Sequence, residues 1–106
     1  MKDMLKIVSI KEESESSVGS YDMIVWPKES QDKEGMLFLA GAAFGVIQRH
    51  NRIKMNSSGL RDTYIHAHSV HCKFDNISLD ELEEIGCEIK IALKDIVESI
   101  TIKPLY

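Results

Sequence analysis

A regular apolar stripe in the last third of the chain limits the fold more than any other feature. Apolar residues recur there at intervals of three or four: Leu79, Leu82, Ile85, Ile89, Leu93, Ile96 and Ile100. This spacing places the side chains on one side of an α-helix. Ser78 and Glu81 have the spacing of a capping box, in which each side chain bonds a free N–H of the first turn. The pattern predicts an amphipathic helix that covers another apolar surface.

A second helix is predicted from the longest apolar run of the chain, "MLFLAGAAFGVI", from Met36 to Ile47. The run is apolar nearly all round, which predicts a deeply buried helix. Its expected spine consists of Leu37, Gly41, Phe44, Ile47 and Asn51. A glycine inside a helix costs about 1 kcal/mol relative to alanine, so we expect close packing to compensate for Gly41 and Gly45.

The remaining segments have the composition of strands. Residues 4–11 and 21–26 are rich in β-branched residues and are expected to pair antiparallel across an acidic connection. The turn residues at 56–59 are expected to join two extended runs into a β-hairpin, and residues 99–106 form a last extended segment. The order ββαββαβ predicts a single α+β domain over residues 1–106. Its mostly antiparallel sheet would carry both helices on one face.

Composition and charge exclude several classes of protein. With 43% hydrophobic and 28% charged residues, the chain is typical of a folded globular domain. A net charge of −4 argues against nucleic acid or an anionic membrane as a partner, and no apolar run approaches the roughly 20 residues of a membrane span. The two cysteines form no C-x-x-C motif, and no cofactor is indicated. We expect a soluble cytoplasmic protein.

The segment "YIHAHSVHC", from Tyr64 to Cys72, carries three histidines. In a continuous strand, side chains alternate between the two faces. His66 and His68 would then share one face with Tyr64, Val70, Cys72 and Phe74, and His71 would point away. His66 and His68 are therefore the candidate catalytic residues.

Two other interpretations of these histidines stay open. A His-x-His pair can chelate a metal, but a catalytic zinc site needs a third protein ligand, for which His50, Asp62 and Tyr64 are candidates. Alternatively, His66 and His68 lie at the margin of the sheet and only form hydrogen bonds. We assign no metal.

A basic segment without acidic residues precedes the histidines. It includes the candidate ligand-binding residues Arg49, His50, Arg52 and Arg61, to which we add Tyr64. The guanidinium group of arginine binds an anion through two parallel hydrogen bonds, and histidine can donate a proton near neutral pH. We therefore expect a pocket for a small anionic ligand, with phosphate-bearing molecules among the candidates. Whether the protein turns the ligand over stays open. The apolar, glycine-containing first helix further predicts a homo-oligomer.

The acidic residues are concentrated further along the chain, where Asp80, Glu81, Glu83, Glu84, Glu88 and Glu98 follow one another. A surface of this kind attracts a basic protein. The alternative function is therefore a non-enzymatic inhibitor or immunity-type protein that occludes a basic partner.

Overall fold

The computed structural model describes residues 7–9 and 18–105, which form five strands and two helices. The strands are β1 (Ile7–Ser9), β2 (Val18–Pro27), β3 (Leu60–His66), β4 (Ser69–Ser78) and β5 (Val97–Pro104). The helices are α1 (Lys33–Lys54) and α2 (Leu79–Ala92). The order is ββαββαβ, which confirms the predicted sequence of elements.

All five strands belong to one sheet with the order β1-β5-β2-β4-β3. Three of its four junctions are antiparallel, and β1 pairs with β5 in parallel. The α+β class and the mostly antiparallel sheet are thus confirmed. The expected pairing of the first two strands is wrong, because β5 lies between them. The rest of the predicted strand at 4–11 and its acidic connection lie outside the described residues.

Both helices pack against the same face of the sheet. The buried core contains Met23 and Val25 from β2, Ile100 and Ile102 from β5, and apolar residues of both helices. From β4 it receives Val70, Cys72 and Phe74, none of which has measurable solvent exposure. Alternation along β4 therefore places His71 and Lys73 on the opposite face, as the sequence predicts.

Helix α1 is longer and less buried than predicted. It begins after Asp32, whose side chain accepts from the Gly35 N–H at 2.8 Å, and ends at Met55 in a left-handed conformation. Its buried residues are Met36, Leu39, Ala43, Val46, Ile47 and His50. The predicted spine is wrong, because Leu37, Gly41 and Phe44 point outward and only Ile47 of that set is buried.

Helix α2 begins as predicted and ends earlier. The Ser78 hydroxyl accepts from the Glu81 N–H at 3.1 Å, which is the expected N-cap. The helix ends at Ala92, so the prediction of a helical stripe as far as Ile100 is wrong. Ile100 instead faces the core from β5, where it pairs with Val25.

The β3–β4 hairpin turns at Ala67 and His68, with His66 paired to Ser69. The predicted turn at residues 56–59 is therefore misplaced, because α1 continues to Lys54 and residues 55–59 connect it to β3. Ala67 has a φ of 55°. A positive φ at the first of two loop residues is typical of a type II′ turn, where glycine is usual.

The two cysteines are free. Burial raises the pKa of the Cys72 thiol to about 12, so this thiol is unreactive at neutral pH. Cys87 is only half-buried. In the part of the chain that the structure describes, neither helix has the length and apolar character needed to cross a bilayer.

Candidate functional site

The sheet face opposite the helices, here called the open face, carries a cluster of polar and aromatic side chains. Strand alternation places there Asp22, Ile24 and Trp26 of β2, Tyr64 and His66 of β3, Ser69, His71 and Lys73 of β4, and Thr101 and Lys103 of β5. Directly paired residues on neighbouring strands lie side by side on the same face. This pairing brings together residues that are up to about 80 positions apart in the sequence.

A chain of three hydrogen-bonded side chains lies at the centre of the open face. His71 Nδ1 lies 2.9 Å from Asp22 Oδ2, and His71 Nε2 lies 3.1 Å from Ser69 Oγ. A carboxylate bonded to one ring nitrogen fixes the orientation of the imidazole and stabilises its protonated form. Hydrogen bonds at both ring nitrogens therefore hold His71 in one orientation.

Two aromatic rings contact His71. The Tyr64 ring stacks on the imidazole with centroids 5.1 Å apart and planes 14° from parallel. His66 meets it edge-on at 5.8 Å. The Lys73 ammonium lies 5.2 Å from the centre of the Tyr64 ring, which is a cation–π distance. The His71 imidazole thus contacts two rings, one of which, Tyr64, also contacts the Lys73 ammonium.

The Asp22 carboxylate is buried on this face, where its side chain is only 9% exposed. Its Oδ1 has no hydrogen-bond partner among the described residues. In strand register, Asp22 is flanked by Lys73 on β4 and Lys103 on β5. A buried carboxylate needs hydrogen-bonding or ionic partners, and among the described residues the side-chain contact of Asp22 is the one between its Oδ2 and His71 Nδ1.

Ser69 has the place of a nucleophile in a Ser–His–Asp arrangement, but its surroundings indicate another role. The residue is buried, and its Oγ lies 3.2 Å from the His66 carbonyl oxygen. A hydroxyl in this position can donate to that carbonyl while it accepts from His71. Ser69 therefore fixes the ring of His71, and it is too enclosed to attack a bound substrate.

The structure brings together only some of the predicted site residues. Tyr64 and His66 both contact His71 on the open face. His68 lies exposed in the hairpin turn, so His66 and His68 are not neighbours on one strand. Arg61 lies on β3, where its Nε is 3.4 Å from Asp75 Oδ2. The prediction that His71 points away from His66 is wrong, because the turn at residues 67–68 reverses the chain.

The other predicted ligand-binding residues belong to α1, on the opposite side of the sheet. Arg49 and Arg52 are exposed there, and His50 is buried. The sheet therefore separates them from Tyr64 and His66, and the pocket is not assembled as predicted.

The buried His50 side chain of α1 contacts two carboxylates of α2. Its Nε2 lies 3.1 Å from Glu81 Oε2, and its Nδ1 lies 3.1 Å from Glu88 Oε2. Burial alone would lower the pKa of His50, but hydrogen bonds and charges from Glu88 and Glu81 outweigh that effect and raise it. The His50 ring thus links α1 to α2, and the two carboxylates favour its protonated form.

Among the described residues, His50, Glu84 and Glu88 are close enough to share a metal ion. Each of these groups already has a partner. Both His50 nitrogens contact carboxylates, and Glu84 Oε2 lies 3.0 Å from Lys54 Nζ. The cluster is therefore accounted for as an ion-pair network between the helices.

This network also changes the interpretation of the acidic residues on α2. Glu81, Glu84 and Glu88 contact basic side chains of α1, His50 and Lys54, which leaves fewer charges for an external partner. The expectation of a basic protein partner stays a prediction.

A separate cavity of about 160 Å³ lies at the N-terminal end of α1. Its lining consists of Pro27, Gln31, Gly35, Phe38, Leu39 and Ile96. The lining contains no charged group, so this cavity does not fit the predicted anionic ligand.

No family model matches the sequence, and neither a curated protein nor a solved structure shows a significant match to the chain.

Three residues of the site were missed by sequence reasoning: Asp22, Ser69 and His71. Asp22 lies 49 positions from His71, and no local pattern connects them. The polar residue inside the apolar run "YDMIVW" is the signal that could have identified Asp22.

Proposed function

We propose that the protein binds a small anionic ligand on the open face, where Tyr64, His66 and Lys73 surround the fixed ring of His71. The observation that carries this proposal is the Asp22–His71–Ser69 chain, with both ring nitrogens of His71 in hydrogen-bonding contact. Such a chain fixes the ring before a ligand arrives, which lowers the cost of binding. The proposal keeps the predicted class of ligand. Of the two predicted catalytic residues it keeps His66, which is exposed beside His71, and leaves out His68, which lies in the turn.

The chemistry of the surrounding residues supports an anion that carries a flat apolar group. Lys73 and Lys103 are the strand neighbours of Asp22, and charged donors bind anions more strongly than neutral donors do. Tyr64 and the partly exposed Trp26 offer ring surfaces on which a planar group can stack. Phosphate esters of aromatic groups combine both properties.

Phenyl phosphate is a suitable probe, with inorganic phosphate as the probe that lacks the ring. Trp26 is the only tryptophan of the chain, so its fluorescence reports binding on the open face. We expect phenyl phosphate to bind more tightly than inorganic phosphate. Release of phenol, measured in the same samples, determines whether the ligand is turned over.

Replacement of His71 by glutamine is expected to weaken phenyl phosphate binding about tenfold or more, because Tyr64 loses the ring that stacks on it and the hydrogen-bonded chain from Asp22 to Ser69 is interrupted. The matched control is His68→Gln, the same substitution in the adjacent turn, which should leave affinity within about twofold. Isothermal titration calorimetry measures both. Unchanged affinity in His71→Gln would place the site elsewhere.

A further inference from the structure

Helix α1 presents an apolar surface to the outside of the molecule, called here the outward face of α1. Leu37, Phe38 and Phe44 are 54%, 66% and 41% exposed there. Large apolar side chains that cluster on an exposed helix face are a feature of interaction sites. The position of this face on the helix layer separates it from the open face of the sheet and from the proposed ligand site.

Gly41 and Gly45 lie between these apolar side chains. A Cβ atom added at either glycine would meet nothing within 4 Å, so packing within one chain does not require glycine. Glycine is nevertheless unfavourable inside a helix. The absence of both side chains does allow the backbone of a second helix to approach more closely than the usual 8–10 Å between packed helices.

The charges at the two ends of the outward face are opposite in sign. Glu34 lies in the first turn of α1 and Arg52 in the last turn, and both are exposed. Positions 34, 41, 45 and 52 are separated by seven, four and seven residues, which places them along one line of a helix with 3.6 residues per turn. The line is symmetric about Ala43, with a glycine two residues away and a charge nine residues away on either side.

We propose that the protein forms a two-fold symmetric dimer in which the outward faces of two α1 helices pack antiparallel across Ala43. A two-fold axis at this point sets Gly41 of one copy against Gly45 of the other. It also sets Glu34 of each copy against Arg52 of the other. A self-complementary arrangement of this kind is what an interface between identical surfaces requires. A second copy therefore satisfies the charges and the glycines together, and it sets Phe44, next to the axis, against Ala42 of the other copy.

The first test is the size of the protein in solution. An interface built on one helix from each copy lies at the small end of stable interfaces, so dimerisation is expected at micromolar concentrations. Sedimentation velocity should show a dimer that dissociates on dilution. Gly41→Leu should give a monomer, because the new side chain fills the line of closest approach. A wild-type species of 12.0 kDa at all concentrations would overturn the proposal.

Gly41→Leu also separates loss of the dimer from loss of the fold. Leucine favours helix more than glycine does, and the site has space for a side chain, so the thermal midpoint of the monomer should not fall. A monomeric variant with an unchanged or higher midpoint supports the dimer. If Gly41→Leu remains dimeric, or if its thermal midpoint falls in dilute solution, the glycines do not lie at the dimer interface and the proposal is wrong.

The second test uses the symmetry of the charges. Glu34→Arg and Arg52→Glu should each weaken the homodimer about tenfold, since two ion pairs become repulsive. The double variant should recover the wild-type affinity. A mixture of the two single variants should form heterodimers in preference to homodimers, because each brings the charge that the other lacks. Glu98→Arg, an exposed substitution on β5, is the control. Failure of the two single variants to associate with each other would exclude the antiparallel arrangement.

Discussion

Replacement of Gly59 by alanine is expected to destabilise the protein by about 3 kcal/mol or more. Gly59 has a φ of 81°, and an added Cβ would overlap the carbonyl oxygen of Asp75. That oxygen belongs to the backbone of β4, so it cannot move as a flexible side chain would. The same pair of residues also forms a bond from the Asp75 N–H to the Gly59 carbonyl at 2.9 Å. The substitution should therefore break the pairing at this end of β3 and β4.

Urea unfolding followed by circular dichroism measures this effect. Gly45→Ala is the matched control, because Gly45 lies in a helix with space for a Cβ, and it should stabilise the monomer by about 0.5–1 kcal/mol. Both variants are measured in dilute solution, so that the proposed dimer does not contribute to the unfolding free energies that are compared. Similar unfolding midpoints for Gly59→Ala and the wild type would show that the α1–β3 connection differs from the one described.

Removal of His50 should have the next largest effect. His50→Ala leaves a space in the core and deprives Glu81 and Glu88 of their shared cation. Loss of one partner of a buried ion pair costs about 3–5 kcal/mol. The side chains of Glu81 and Glu88 are 27% and 31% exposed, so water screens part of this loss and about 2 kcal/mol is expected. Chemical unfolding at pH 6 is the measurement, with His68→Ala as the exposed control.

The contribution of His50 to stability should depend on pH. Its pKa is raised above 6.5 in the folded protein, so the folded state binds the proton more tightly than the unfolded state does. The stabilisation is then complete below pH 6.5 and is lost as the pH rises through the raised pKa. The difference in unfolding free energy between wild type and His50→Gln should decrease between pH 6.5 and 9. A difference that grows with pH would mean that His50 is neutral in the fold.

The parts of the fold that the sequence predicts correctly depend on local signals. The apolar stripe and Ser78 predict α2, because periodicity and an N-cap are encoded within one segment. The alternation of Val70, Cys72 and Phe74 likewise predicts which residues of β4 enter the core.

Elements whose ends or partners depend on distant residues were predicted less well. Ile96 and Ile100 continue the helical spacing of α2, but Ile100 and Ile102 also have the spacing of a strand, and the pairing with β2 decides the outcome. Insertion of β5 between β1 and β2 has no local signal at all. The turn at Ala67 contains neither glycine nor asparagine, so nothing in the sequence indicates it.

The candidate site shows the same dependence. Tyr64 and His66 were expected in it, and they contact the central imidazole. The predicted site excluded His71 because one continuous strand was expected from Tyr64 to Phe74. Alternation along that strand correctly places His71 on the face opposite Val70 and Cys72, but it wrongly separates His71 from Tyr64 and His66. Once the chain reverses, Tyr64 pairs with His71 across the hairpin. The site thus depends on a strand pairing that residue types alone do not reveal.

The most direct measurement of the proposed site is a nuclear magnetic resonance titration of the wild-type protein with phenyl phosphate. We predict that the largest chemical-shift changes occur on the open face. The residues concerned are Trp26, Tyr64, His66, His71 and Lys73. Changes confined to Arg49 and Arg52 on α1, or no change at any residue of the open face, would contradict the proposed function.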